Sequence, residues 1–299
     1  MKPRFFWIAL ILIGISWISN SIYAHSKQLD KPIFLDHYID VELQDYIYIT
    51  FYYLTNKNDS SVVSSVSTGE LIGYPEDPYF TDEGIQNRQS FNNHVLRSVN
   101  VRFDLEQPSV PEIYSFTEMD IFFSNGKKIT TPIGIVNIFP YFNERVPLEQ
   151  VSTIMGSNYN NADYRATEPL TVDTIKGSYQ EVLQDNFLIK INSPSNPTVS
   201  QPTEKEFLDP MEKEWRKLPG LDLKNVQLPF DLKNGERLSV YSSISKNLKA
   251  VFDLSIHMSG KSESGRVFST TVRFNHQPYL EQKDVKAIIK EKTKGDTNG

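Results

Sequence analysis

The chain has no cysteine among its 299 residues. That excludes disulfides, thiolate zinc sites, a cysteine nucleophile and a lipoprotein anchor on a modified N-terminal cysteine. It also lacks a basic excess. The formal charge is −6, and removing residues 1–24, which carry Lys2 and Arg4 and no acid, makes it more negative. Nucleic acids are therefore excluded as partners, because their affinity comes from phosphate neutralisation by Lys and Arg.

Catalytic spacings are missing too. There is no G-x-S-x-G, hence no nucleophile elbow. Gly260-Lys261-Ser262 resembles the end of a phosphate loop, but Ser255 stands where the upstream glycine is needed, so the stretch is a turn. His25, His37, His94, His257 and His276 fall into no H-x-x-x-H or H-E-x-x-H spacing, and all five are read as structural. No metal and no cofactor are expected.

One long hydrophobic run is present. Phe5 to Tyr23 reads FFWIALILIGISWISNSIY, preceded by Lys2 and Arg4 and followed by Ala24. A basic start, an apolar stretch and a more polar end with small residues make residues 1–25 a signal peptide or an N-terminal membrane anchor, with cleavage favoured. In the anchored case Lys2 and Arg4 stay in the cytoplasm. Either way the rest of the chain is expected to be exported: secreted, or held on the outer face of the cytoplasmic membrane. A long exported chain without disulfides fits a bacterial envelope.

About 275 residues remain, enough for one large domain or two ordinary ones. Their dominant pattern is period-2 alternation, the mark of half-buried strands. In HVLRSVNVRFDLE, Val95, Val99, Val101, Phe103 and Leu105 share a face, with Arg97 as the exception; Leu96, Ser98, Asn100, Arg102 and Asp104 take the other. AVFDLSIHM (250–258) and RVFSTTVRFNH (266–276) alternate in the same way. Asn125-Gly126 and Asn234-Gly235 sit between such runs as type I′ hairpin signals, and Gly260–Gly265 closes a third hairpin.

The texture changes at 193–203, a Pro/Ser-rich stretch read as linker. A short helix is predicted at 209–218, where Asp209, Pro210 and Glu212 make a capping box and Met211, Trp215 and Leu218 share a face. The predicted fold class is all-β: two antiparallel, Ig-like β-sandwich domains, 30–150 and 165–280, with the linker and helix inside the second. A charged tail, 281–299, follows. One continuous sandwich is the alternative.

Two stretches stand out as candidate binding residues. In YIYITFYYL, Ile47, Ile49, Phe51 and Tyr53 form one face and Tyr46, Tyr48, Thr50 and Tyr52 the other, a tyrosine platform of the kind on which sugar rings and polymers stack. The bland counterpart is packing of those rings under a loop or helix. The loop from Tyr74 to Gly84 places Tyr74 and Tyr79 among Glu76, Asp77, Asp82 and Glu83, without the spacing of a calcium loop. The expected ligand-binding residues are thus Tyr46, Tyr48, Tyr52, Tyr74 and Tyr79. The export signal, the missing catalytic spacings and the strand content imply a non-enzymatic envelope protein that binds a cell-surface protein or glycan, and the tyrosines make a carbohydrate-binding module the alternative. A hydrolase using two carboxylates is the remaining alternative, since that spacing is set only in three dimensions.

Overall fold

The computed structural model describes residues 3–44, 46–76, 86–104, 114–140, 146–196 and 215–295. Eighteen strands dominate them. The first half holds β1 (Ile33–Phe34), β2 (His37–Glu42), β3 (Tyr46–Asn56), β4 (Val63–Ser67), β5 (Ile72–Pro75), β6 (Gln86–Ser90), β7 (His94–Asp104), β8 (Tyr114–Phe123) and β9 (Lys128–Phe139). The second holds β10 (Leu148–Met155), β11 (Tyr159–Ala166), β12 (Leu170–Gly177), β13 (Phe187–Asn192), β14 (Leu221–Asp222), β15 (Phe230–Leu232), β16 (Arg237–Ile244), β17 (Val251–Ser262) and β18 (Val267–His276).

The alternation read in the sequence sets the packing. Ile47, Ile49, Phe51 and Tyr53 of β3 turn inward, with Val101 and Phe103 of β7, onto Met119, Ile121 and Phe123 of β8 and Ile133, Val136 and Ile138 of β9. A second core lies between the sheet β10-β11-β16-β13-β14 and the layer of β12, β15, β17 and β18, around Val240, Phe252, Leu254, Ile256 and Phe274. Each half is a β-sandwich, a sheet face buried against another sheet face.

Among the described residues the strands pair antiparallel except at β2. β2 runs parallel to β9 on one side and to β17 on the other, so one thirteen-stranded sheet passes from the first half into the second. Ile39 of β2 belongs to the first core, while Tyr38, next to it, packs against the second and stacks on Phe252 at 5.6 Å. A single strand serves both cores because its two faces point in opposite directions.

The turns differ from the type I′ expectation. At Asn125-Gly126 only Gly126 has positive φ (79°); its N–H donates to Phe123 O, and the Phe123 N–H donates to Lys127 O, each at 2.9 Å. That is a type I turn followed by a left-handed glycine, the three-residue hairpin loop. Gly265 ends the β17–β18 hairpin in the same way. The Asn234-Gly235 turn makes no hairpin: it carries the chain from β15 in one sheet to β16 in the other.

The helices hold a further difference. α1 (Pro3–His25) covers the N-terminal run; among the described residues no helix is long and apolar enough to cross a membrane. α2 (Gln180–Leu183) is a single turn. Of the helix predicted at 209–218, the part up to 214 lies outside the described residues; 215–217 is helical, and the buried Trp215 donates from its indole to Asp222 Oδ1 at 3.1 Å. The linker is described only to Asn196, and β13 and β14, on either side of it, belong to one sheet. Much of the stretch read as a charged tail is α3 (Gln282–Gly295). Val285 and Ile288 are buried, with Ile289 beside them, against Leu35, Tyr52, Leu54 and Leu96 of the first half and Val251 of the second. Positions i, i+3 and i+4 give a narrow apolar stripe that the surrounding lysines obscure in the sequence.

Candidate binding face

Three of the five tyrosines meet on one surface. Cross-strand register places Tyr48 of β3 beside Arg102 of β7, and Arg102 beside Tyr74 of β5, so the three residues form one row across the sheet. Tyr46 is two residues along β3, opposite Asp104, and its ring meets that of Tyr48 edge-on at 5.5 Å. Tyr46, Tyr48 and Tyr74 are 50%, 42% and 54% exposed. Three tyrosines thus lie exposed on one sheet exterior, while the alternating Ile47 and Ile49 turn inward.

Arg102 is held in place. Its Nε lies 3.0 Å from Asp104 Oδ1 and its Nη2 donates to Asp104 Oδ2 at 3.2 Å, a two-pronged grip on one carboxylate. That contact, the Asp104 charge and the Tyr48 hydroxyl raise its pKa above the ordinary arginine value. The next row is polar: Thr50 Oγ1 donates to Asn100 Oδ1 at 3.2 Å, and Asn100 Nδ2 donates to Glu76 Oε2 at 2.7 Å. Sequence reasoning missed Arg102, Asp104 and Asn100 as members of the site. Their positions on the polar face of β7 were legible; which strand would lie beside that face was not.

Tyr52 shares the side of β3 that carries Tyr46 and Tyr48, yet it is 3% exposed. α3 lies over it, and its ring sits among Leu35, Leu54 and Val285. The expectation that it belongs to the platform is therefore corrected: the same face is wet at Tyr48 and covered at Tyr52. Its backbone N–H donates to His37 Nε2 at 2.9 Å, and burial lowers the pKa of that histidine to about 4, keeping the ring neutral and able to accept. Tyr79 lies outside the described residues, as do Asp77, Asp82 and Glu83.

A second polar group lies at the seam between the halves. Buried Asp40 accepts from Asn137 Nδ2 at 3.2 Å and lies 3.5 Å from His257 Nε2. Arg273 donates to Asp40 O, lies 3.7 Å from Asp253 and 3.9 Å from Glu42, and sits over the Phe139 ring. Burial, with the charge of Asp40 added, raises Asp253 to about 6 despite Arg273. Tyr179, in a left-handed conformation (φ 55°), donates to Ile39 O at 2.6 Å across this seam. Elsewhere, a cavity of about 220 Å³ lies among Asp30, Asn56, Asp59, Phe123 and Lys127. Burial opposes ionisation of Asp59 there, but hydrogen bonds from Ser61 and Thr55 outweigh it and hold the carboxyl below its ordinary range. Among the described residues no His, Cys, Asp and Glu group is placed to hold a metal ion.

No protein-family model matches the chain, and no curated protein matches it. Among solved structures it is similar to the YadV chaperone, with 9% identity over 81% of this chain and 99% of that one and a TM-score of 0.23. The CupB2 chaperone of Pseudomonas aeruginosa gives 5% identity, coverage of 81% and 100%, and a TM-score of 0.18. The collagen-binding domain of the Erysipelothrix rhusiopathiae surface protein RspB gives 9% identity, coverage of 79% and 92%, and a TM-score of 0.21. Overlap at these scores leaves the reading of the face to its own geometry.

Proposed function

We propose that the chain is an exported, non-enzymatic β-sandwich protein that binds another component of the cell envelope through Tyr46, Tyr48, Tyr74 and Arg102. The observation that carries this is the exposed row Tyr48–Arg102–Tyr74. Tyrosine and arginine are the residue types that dominate binding hot spots, and Asp104 fixes the guanidinium before any partner arrives. Exposed tyrosines spread over β3 and β5, with Arg102 of β7 between them, suit the broad surface of a macromolecule. Export rests on Lys2, Arg4 and the apolar run that follows them.

A glycan partner is the second reading. Exposed rings with Asn100 and Glu76 alongside supply stacking and hydrogen bonding together. A hydrolytic reading would turn to Asp40 and Asp253, whose environments differ. Asp40 is buried and already engaged by Asn137 and His257, which leaves it no free side for a substrate. Binding of the purified chain to envelope fractions tests the proposal. Retention that survives glycan digestion but not protease treatment supports a protein partner, and the converse supports a glycan. No retention on either would overturn the binding role.

A further inference from the structure

The binding face ends at an open sheet edge. β3 pairs with β7 along its whole length, but β1 covers its other side only at Tyr53 and Leu54. Leu35 still donates to Tyr52 O at 3.0 Å and His37 Nε2 accepts from Tyr52 N–H; then the chain departs into β2 in the opposite layer. Backbone groups alternate sides along a strand. Since the N–H and C=O of Tyr52 point away from β7, so do those of Thr50, Tyr48 and Tyr46. Among the described residues no strand pairs with them. The segment Tyr46–Phe51 is uncharged, free of proline and rich in β-favouring residues. Open edges are normally shortened, charged or interrupted, and this one is not.

What fits this edge follows from its chemistry. Paired N–H and C=O groups repeating about every 6.8 Å match another extended polypeptide. No residue of Tyr46–Phe51 carries a charge to attract an entering one, and Arg102 and Asp104 already satisfy each other. The segment itself meets both conditions, and it is self-complementary. Turned antiparallel on a two-fold axis at Tyr48, it sets Tyr48 opposite Tyr48 of the other copy and Tyr46 opposite Thr50. Both pairs then use outward-facing backbone groups, and both keep their side chains on the same face.

We propose that two copies of this chain join through the Tyr46–Thr50 edge of β3, antiparallel and centred on Tyr48, into one continuous sheet. The pairing closes on itself, so a hazard for open-ended aggregation becomes a defined dimer. It also joins the two Tyr48–Arg102–Tyr74 rows into one aromatic strip. In that respect it extends the binding reading, although the dimer stands without it.

Cysteine crosslinking tests the register cleanly because the chain has no cysteine of its own. Directly opposed residues in a hydrogen-bonded pair have Cα atoms about 5.5 Å apart, inside the disulfide range. Tyr48→Cys should therefore give a disulfide dimer under mild oxidation. Tyr46→Cys alone should not, since its two copies lie about 14 Å apart along the strands. A mixture of Tyr46→Cys and Thr50→Cys, which leaves Tyr48 intact, should give the mixed dimer. Sedimentation of the unmodified chain should show mass increasing toward a dimer with concentration. A monomer at all concentrations, or crosslinking no faster at Tyr48→Cys than at Tyr46→Cys, would overturn the dimer. Neither result would touch envelope retention, which is measured separately.

Discussion

The Lys292 ammonium lies 2.5 Å from Asp36 Oδ1, so the last helix is tied to the short link between the first two strands. The same helix faces the second half through Asp284, 3.5 Å from Lys249. α3 thus ties the first half to the second over the seam. The Lys292–Asp36 pair is partly exposed and contributes little, whereas the apolar stripe carries the docking. Ile288→Ala should cost about 2–5 kcal/mol in urea unfolding, and Lys292→Ala below about 1 kcal/mol. Equal, small effects from both would mean that the helix is not packed.

Close approach of β2 to β9 gives a sharper test of the shared strand. Gly134 has φ 91°, and a side chain there would overlap the His37 backbone O and N. Gly126 also has positive φ, but with open space around it. Gly126→Ala should cost about 1–2 kcal/mol for the left-handed backbone alone. Gly134→Ala should cost clearly more or prevent folding, because backbone cannot move aside. Similar melting temperatures for the two variants would contradict the parallel β2–β9 pairing.

Acidification should act on two groups in opposite senses. His37 has a folded pKa lowered to about 4 from 6.5, so the unfolded chain takes up its proton first. Stability is then lost as pH falls between those values, by up to about 3 kcal/mol. Asp253 is raised from 3.8 to about 6, so the folded chain takes up that proton first, and stability is gained as pH falls through 6. Its partial exposure reduces that gain to about 1 kcal/mol. Asp253→Asn should stabilise the protein at pH 7 and make its loss of stability between pH 7 and pH 5 steeper. An unchanged slope would show that Asp253 titrates like a free carboxyl.

Alternation made much of this fold legible. The inward residues of β3, β7, β17 and β18 follow from the period-2 pattern, because a strand with one buried face has no other stable register. What covers a face is decided by distant pairing, and there the sequence was silent. Tyr52 and Tyr48 have the same local pattern; only α3, masked by its lysines, separates them. The Asn-Gly dipeptides marked turns without fixing their type or their partners. The parallel placement of β2 left no local trace, since strands in either direction alternate alike.

The most direct test of the binding face compares Tyr46→Ala, Tyr48→Ala and Tyr74→Ala with Tyr52→Ala in thermal melts run beside envelope retention. The exposed three should each weaken retention by about 1–3 kcal/mol with little change in melting temperature. Tyr52→Ala should instead lower stability by about 3–5 kcal/mol through the cavity left beneath α3. Retention unchanged in all three exposed variants, with a wild type that does bind, would contradict the assignment of this face.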